Sequence, residues 1–170
     1  KLLSKNKLNK ITIKEITEDC GVNRQTFYYH FKDIYDLLEW IFANEVVEKI
    51  EKETTIETWQ DNFKYVLDYM LKNKKFIIKT YNSLSRKTLL DFLFNQYNTI
   101  FIEIVNDLSK NYNITKENKI FIANFYKYGF AGIIENWIVT EMKESPESII
   151  KKLDVMISGN FEEAVRKMSN

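Results

Sequence analysis

The chain has 170 residues, enough for one domain or for a small domain joined to a larger one. Hydrophobic residues make up 45%, aromatics 15%, Pro occurs once and Gly four times, so the balance favours an all-α protein with a large core. The single cysteine excludes an internal disulfide, no apolar run approaches the ~18–20 residues that span a bilayer, and no signal-peptide pattern is visible, so a cytoplasmic location away from membranes is expected.

The net charge of +1 hides an uneven split. Residues 1–32 carry seven basic and three acidic side chains, a net +4, and the remainder carries 18 basic and 21 acidic, a net −3. A basic head on a mildly acidic body suits a polyanionic partner at one end only.

In chain order, residues 1–6 read as the tail of a helix. Thr12 is placed as an N-cap, and Glu15 three residues later completes a capping box. The helix that follows puts Ile13, Ile16 and Cys20 on one face, which is expected to point inward. Gly21 ends it, because glycine takes the left-handed conformation cheaply. Val22 is expected to plug inward, and Asn23 to cap a helix over 24–31. Asp33 and Asp36 cap a longer helix to about Lys52. Thr58 starts another, with Trp59, Phe63, Val66, Leu67 and Met70 inward. A short piece spans 76–84. Ser85 opens a long helix to about Tyr112, and Thr115 opens a second to about Lys143, apolar on nearly every face and so buried from several sides. Ser145-Pro146 caps a last helix, which Gly159 interrupts or ends.

Two short helices joined by Gly21-Val22-Asn23 make a helix-turn-helix, whose second helix lies in the major groove with its N-terminal residues at the base edges. Arg24, Gln25 and Thr26 occupy those positions. Arginine pairs bidentately with guanine and glutamine with adenine. Tyr28, Tyr29, His30 and Lys32 carry polar tips suited to phosphate. Phe27 and Phe31 are expected to pack inward against Ile16 and Cys20. Lys5, Lys7 and Lys10 fit either solvent or nucleic acid.

Thr12-x-x-x-Ile16, then Gly21-Val22, then Thr26-x-Tyr28-x-His30-Phe31 resembles the DNA-binding domain of TetR-type transcriptional regulators. YYHFKDIYDLLEWIF and ENWIVTEMKESPE look most like the subgroup related to dihydroxyacetone-kinase operon regulators. The resemblance implies a helix-turn-helix domain over 1–45 and a larger helical ligand-binding and dimerisation domain over 46–170. Its motif places Thr12, Asn23, Arg24, Gln25, Thr26, Tyr28, Tyr29, His30 and Lys32 at a double-stranded DNA operator. The family commonly has Ala where Thr17 and Cys20 stand, Ser or Thr where Asn23 stands, and a phosphate-contacting Lys where Ile34 stands. Its first helix is longer than residues 1–6, so upstream residues are expected in the intact protein.

The resemblance further implies an effector pocket among the middle helices, for a small molecule or a protein. Candidates for its lining are Phe63, Tyr97, Phe101, Phe125 and Tyr128. The family's last two long helices pair with a second subunit, which implies a homodimer built on 117–143 and 147–157. Gly129 and Gly132 cost ~1 kcal/mol each inside a helix, and close helix approach would explain them; relief of crowding within one subunit is the alternative. Trp137, Ile138 and Ile149 are the candidate anchors. Repression is the family's commoner output. A second reading keeps the helix-turn-helix as a module that docks a protein. No Gly-rich phosphate loop or HExxH spacing is present, so no enzyme, cofactor or metal site is expected.

Overall fold

The computed structural model describes residues 2, 6, 8–45, 55–83 and 86–169. Among them every regular element is helical. A short 3₁₀ turn, Leu8–Lys10, precedes α1 (Ile13–Cys20), α2 (Arg24–His30) and α3 (Ile34–Glu45). Then come α4 (Trp59–Lys72), α5 (Lys74–Tyr81), α6 (Arg86–Leu108), α7 (Lys116–Val139), α8 (Pro146–Ile157) and α9 (Asn160–Lys167). The extension of the third helix towards Lys52, Lys5, Lys7 and the start at Ser85 lie outside the described residues.

Local rules set most helix starts. Thr12 accepts the Glu15 amide at 3.2 Å while the Glu15 carboxylate takes the Thr12 amide at 2.7 Å, the reciprocal capping box. Asn23, Thr115 and Ser145 each accept the amide three residues on. Asp33 Oδ1 accepts the amides of Tyr35 and Asp36, and Asp36 Oδ2 accepts that of Lys32.

The body is one apolar cluster drawn from α4, α6, α7, α8 and α9. The α6–α7 pairing is the most extensive among the described helices, followed by α4 on α8. Phe130 lies at its centre, with ring centroids 4.9 Å from Phe63, 5.0 Å from Phe101 and 5.7 Å from Trp59. Burying each such ring stabilises by roughly 1.5–3 kcal/mol. Gln60 Nε2 donates to Asp154 Oδ1 at 2.7 Å and Lys64 pairs with Glu147 at 2.8 Å, fixing α4 along α8.

The seventh helix stops at Val139, short of the expected Lys143. Glu141 and Met142 both adopt positive φ, 58° and 50°, and turn the chain. The turn drops Met142 into the core, where its amide donates to Trp137 O at 2.7 Å, and the Trp137 indole donates to Glu144 O at 2.8 Å.

Burial corrects several expectations. Trp137, Ile138 and Ile149 belong to the chain's own core, Trp137 at 2% exposure, so they are not surface anchors for a second copy. Conversely, a Cβ built on Gly129 or Gly132 meets nothing within 4 Å, so neither glycine relieves crowding inside the chain. The face they share on α7 is open: Phe121 (64% exposed), Phe125 (67%), Tyr128 and Val139 recur along one stripe. Val155 and Met156 on α8 are also exposed.

Candidate nucleic-acid interface

The head is built from α1, α2 and the turn between them. Gly21 (φ 67°) ends α1, and the amides of Gly21 and Val22 return to Glu18 O and Thr17 O at 3.3 and 2.9 Å. The next residue, Asn23, caps α2: its Oδ1 accepts the Thr26 amide at 2.8 Å and the Thr26 hydroxyl at 3.1 Å. Thr26 is thereby oriented by Asn23, and both remain exposed.

The recognition helix has one anchored side and one bare side. Phe27 is buried and contacts Phe31 at 5.6 Å, and Phe31 packs edge-on against Trp40 of α3 at 5.7 Å. Arg24, Gln25, Tyr28, Tyr29, His30 and Lys32 are exposed, Tyr29 at 85%. Tyr29 and His30 meet edge to face at 5.0 Å, with neither ring buried. Thr12 is exposed too, but its hydroxyl already donates to Glu15 Oε2 at 2.9 Å. That contact and the Thr12 amide hold the Glu15 carboxyl below its ordinary range, the amide being the larger cause.

Two inward expectations fail here. Cys20 is exposed, and Val22 is 44% exposed. The buried residue of α1 is instead Thr17, whose hydroxyl donates to Ile13 O and Lys14 O at 2.9 and 3.0 Å. Back-bonding to its own helix satisfies that hydroxyl, so a polar side chain takes the inward position that hydrophobic spacing alone assigned to Cys20. Leu8 and Ile11 complete the small core, and the Leu8 amide donates to Ser83 Oγ of the body at 3.2 Å. Ile34, at the start of α3, is half-buried, and its aliphatic side chain offers no charge to a backbone.

The five pocket candidates do not form one enclosed lining. Phe63, Tyr97 and Phe101 lie in the core, whereas Phe125 and Tyr128 lie on the outer stripe of α7. The reason is register: positions 125, 128 and 132 recur at helical spacing away from Phe130 and Ile134.

Comparison with known proteins bears on both parts. The model for bacterial regulatory proteins of the tetR family matches residues 1–41, and the model for a transcriptional regulator C-terminal region matches residues 57–159. The HTH-type dhaKLM operon transcriptional activator DhaS of Lactococcus lactis subsp. lactis (strain IL1403) is 26% identical over 140 residues, 81% of this chain and 74% of that protein. The solved structure of the dihydroxyacetone kinase operon activator DhaS shares the fold, with a TM-score of 0.66 at 23% identity, over 99% of this chain and 92% of that one. The matched proteins are regulators rather than enzymes. Among the described residues no helix is long and apolar enough to cross a membrane. A basic helix-turn-helix head on a helical body, matched across both parts, places the chain in the TetR family of DNA-binding transcriptional regulators.

Proposed function

We propose that the chain acts as a homodimer on a double-stranded DNA operator in the cytoplasm, with Arg24, Gln25 and Thr26 at base edges and Tyr28, Tyr29, His30 and Lys32 at phosphates. The observation that carries this reading is the division of α2: Phe27 is buried behind it while Arg24 to Thr26 stand bare at its capped N-terminus. A helix N-terminus also favours phosphate nearby. Domain limits of 1–45 and 46–170 go with this division of labour.

The exposed stripe of Phe121, Phe125, Tyr128, Gly132 and Val139 supports pairing with a second copy. Large apolar side chains gathered on one face mark an association surface, and the two glycines let another helix approach closely. The dimer is thus proposed on the outer face of α7 and α8, not on Trp137, Ile138 and Ile149. An effector acting on the body would change the spacing of the two heads through its differential affinity for two states. Repression is the commoner output that the family resemblance implies. The relative from Lactococcus lactis is an activator, and activation is therefore the output we propose.

Retention on duplex DNA, titrated with salt, tests the reading. Log affinity should fall linearly with log salt, because each phosphate contact releases counterions. Protein that ignores duplex DNA at low salt would instead favour the head as a protein-docking module, for which Ile34 in place of a basic residue speaks.

A further inference from the structure

Lys127 is the feature of the body that the DNA-binding reading leaves unused. Its residue is 8% exposed, yet among the described residues its ammonium has no ion-pair partner. Its Nζ donates to Asn98 Oδ1 at 3.1 Å. It also lies 5.3 Å from the Tyr128 ring centroid and 5.8 Å from that of Phe94. Those two rings meet edge to face at 4.7 Å, so they form a corner around the charge. The neighbours one turn away on α7 are Ala123, Asn124, Phe130 and Ala131, and those of Asn98 on α6 are Phe94, Asn95, Phe101 and Ile102, none of them acidic.

An ammonium has three donors. One is used by an amide, and ring faces supply a partial counter-charge to the rest. Desolvating a cation without an anion is costly, so buried charges are normally paired. Asn98, beside the charge on α6 and away from the outer stripe of α7, is exposed, which leaves an approach from the surface on the α6 side.

We propose that Lys127, with Asn98, forms an anion-binding site at the α6–α7 seam, for a small ligand bearing a carboxylate or phosphate group. The ammonium and the Asn98 amide N–H groups donate to the anion, and the Phe94–Tyr128 corner packs against its apolar part. The site goes beyond the DNA-binding reading and does not depend on it.

The probes are inorganic phosphate and acetate, titrated separately into the full chain by calorimetry and thermal melting, with chloride at equal ionic strength as control. A ligand that binds only the folded state raises the melting temperature with concentration. One of the two anions should bind saturably, and Lys127→Gln should weaken it at least tenfold. Asn98→Ala, at an exposed position that keeps the lysine, should weaken it severalfold. If Lys127→Gln fails to fold, the Asn98→Ala result decides. Equal binding by wild type and by the variants overturns the proposal. So does a wild type that ignores both anions; if Lys127→Gln then weakens self-association, a second copy is the source of the counter-charge.

Discussion

The Tyr69 hydroxyl donates to Glu45 Oε2 at 3.2 Å, joining the last turn of α4 to the last described turn of α3. Phe42 packs edge-on against the Tyr69 ring at 6.4 Å, so polar and apolar contacts link head to body at one residue. Burial, and next the Glu45 charge, push the Tyr69 phenol up to about 12. The neutral, donating form is thus favoured by folding. Its contribution is full below the ordinary value of 10.0 and fades as pH rises from there through about 12. Tyr69→Phe keeps the ring and removes the donor, and should cost about 0.5–1.5 kcal/mol in urea denaturation at pH 7. The gap to wild type should narrow by pH 12; a gap that is flat with pH would place the effect in ring packing instead.

At the recognition helix, Arg24→Ala and Gln25→Ala should each lose ~1–3 kcal/mol of DNA affinity and relax base preference at one position per half-site. Lys32→Ala should weaken all sequences alike and lower the salt slope by about 1. Mobility shifts against single-base operator variants separate the two patterns. Sequence-blind losses from all three variants would contradict the division between base and phosphate contacts.

On the outer face of α7, Phe125→Glu puts a charge into the exposed stripe without touching the core. Its self-association, measured by sedimentation, should weaken at least tenfold while helix content is kept. Trp137→Ala is the counterpart: it empties a core position and loses the Glu144 hydrogen bond, and should cost about 3–5 kcal/mol of stability. Unchanged self-association in Phe125→Glu would move the dimer to another surface.

Much of the head was legible from the sequence because its rules are local. Capping by Thr12, Glu15, Asn23 and Asp33, and the left-handed turn at Gly21, need only neighbours within four residues. Where the polar residues of α2 face was legible for the same reason, since Phe27 and Phe31 fix its inner side. The body was harder. On α7 apolar residues lie all round, so periodicity did not distinguish the side facing Phe101 and Phe63 from the side facing out. Trp137 and Phe125 were therefore exchanged between core and surface. Thr17 was missed because a threonine's ability to satisfy its hydroxyl on its own helix leaves no mark in a hydrophobic pattern. Lys127 was missed because a basic residue in a helix reads as solvated unless its partners on another helix are known.

Glu141 stands in the left-handed region at φ 58°, exposed, in the turn between α7 and α8. An L side chain there costs roughly 1–2 kcal/mol, which glycine avoids at the expense of a freer unfolded chain. Glu141→Gly should therefore raise stability by about 0.5–1 kcal/mol in chemical denaturation. A loss of stability would mean that the Glu141 side chain holds the turn through a contact worth more than the strain.

At the far end of the chain, α9 carries its own pH response. The Glu163 carboxylate accepts from Arg166 Nε and Nη2 at 2.8 and 2.6 Å, and Lys167 approaches it at 3.2 Å. These contacts, Arg166 first, pull the carboxyl down from 4.5 to about 2. A depressed acid stabilises the folded chain above its unfolded value and loses that contribution as pH falls from about 4.5 through about 2. The same helix seats Phe161 and Val165 in the core, so its loosening is felt beyond the surface. Wild type should be more stable than Glu163→Gln at pH 6, by the small margin that exposed pairs supply, with the difference shrinking towards pH 2 and in high salt. Thermal melting across that range checks it. A difference that persists at pH 2 would assign the role of Glu163 to hydrogen bonding that glutamine cannot reproduce rather than to its charge.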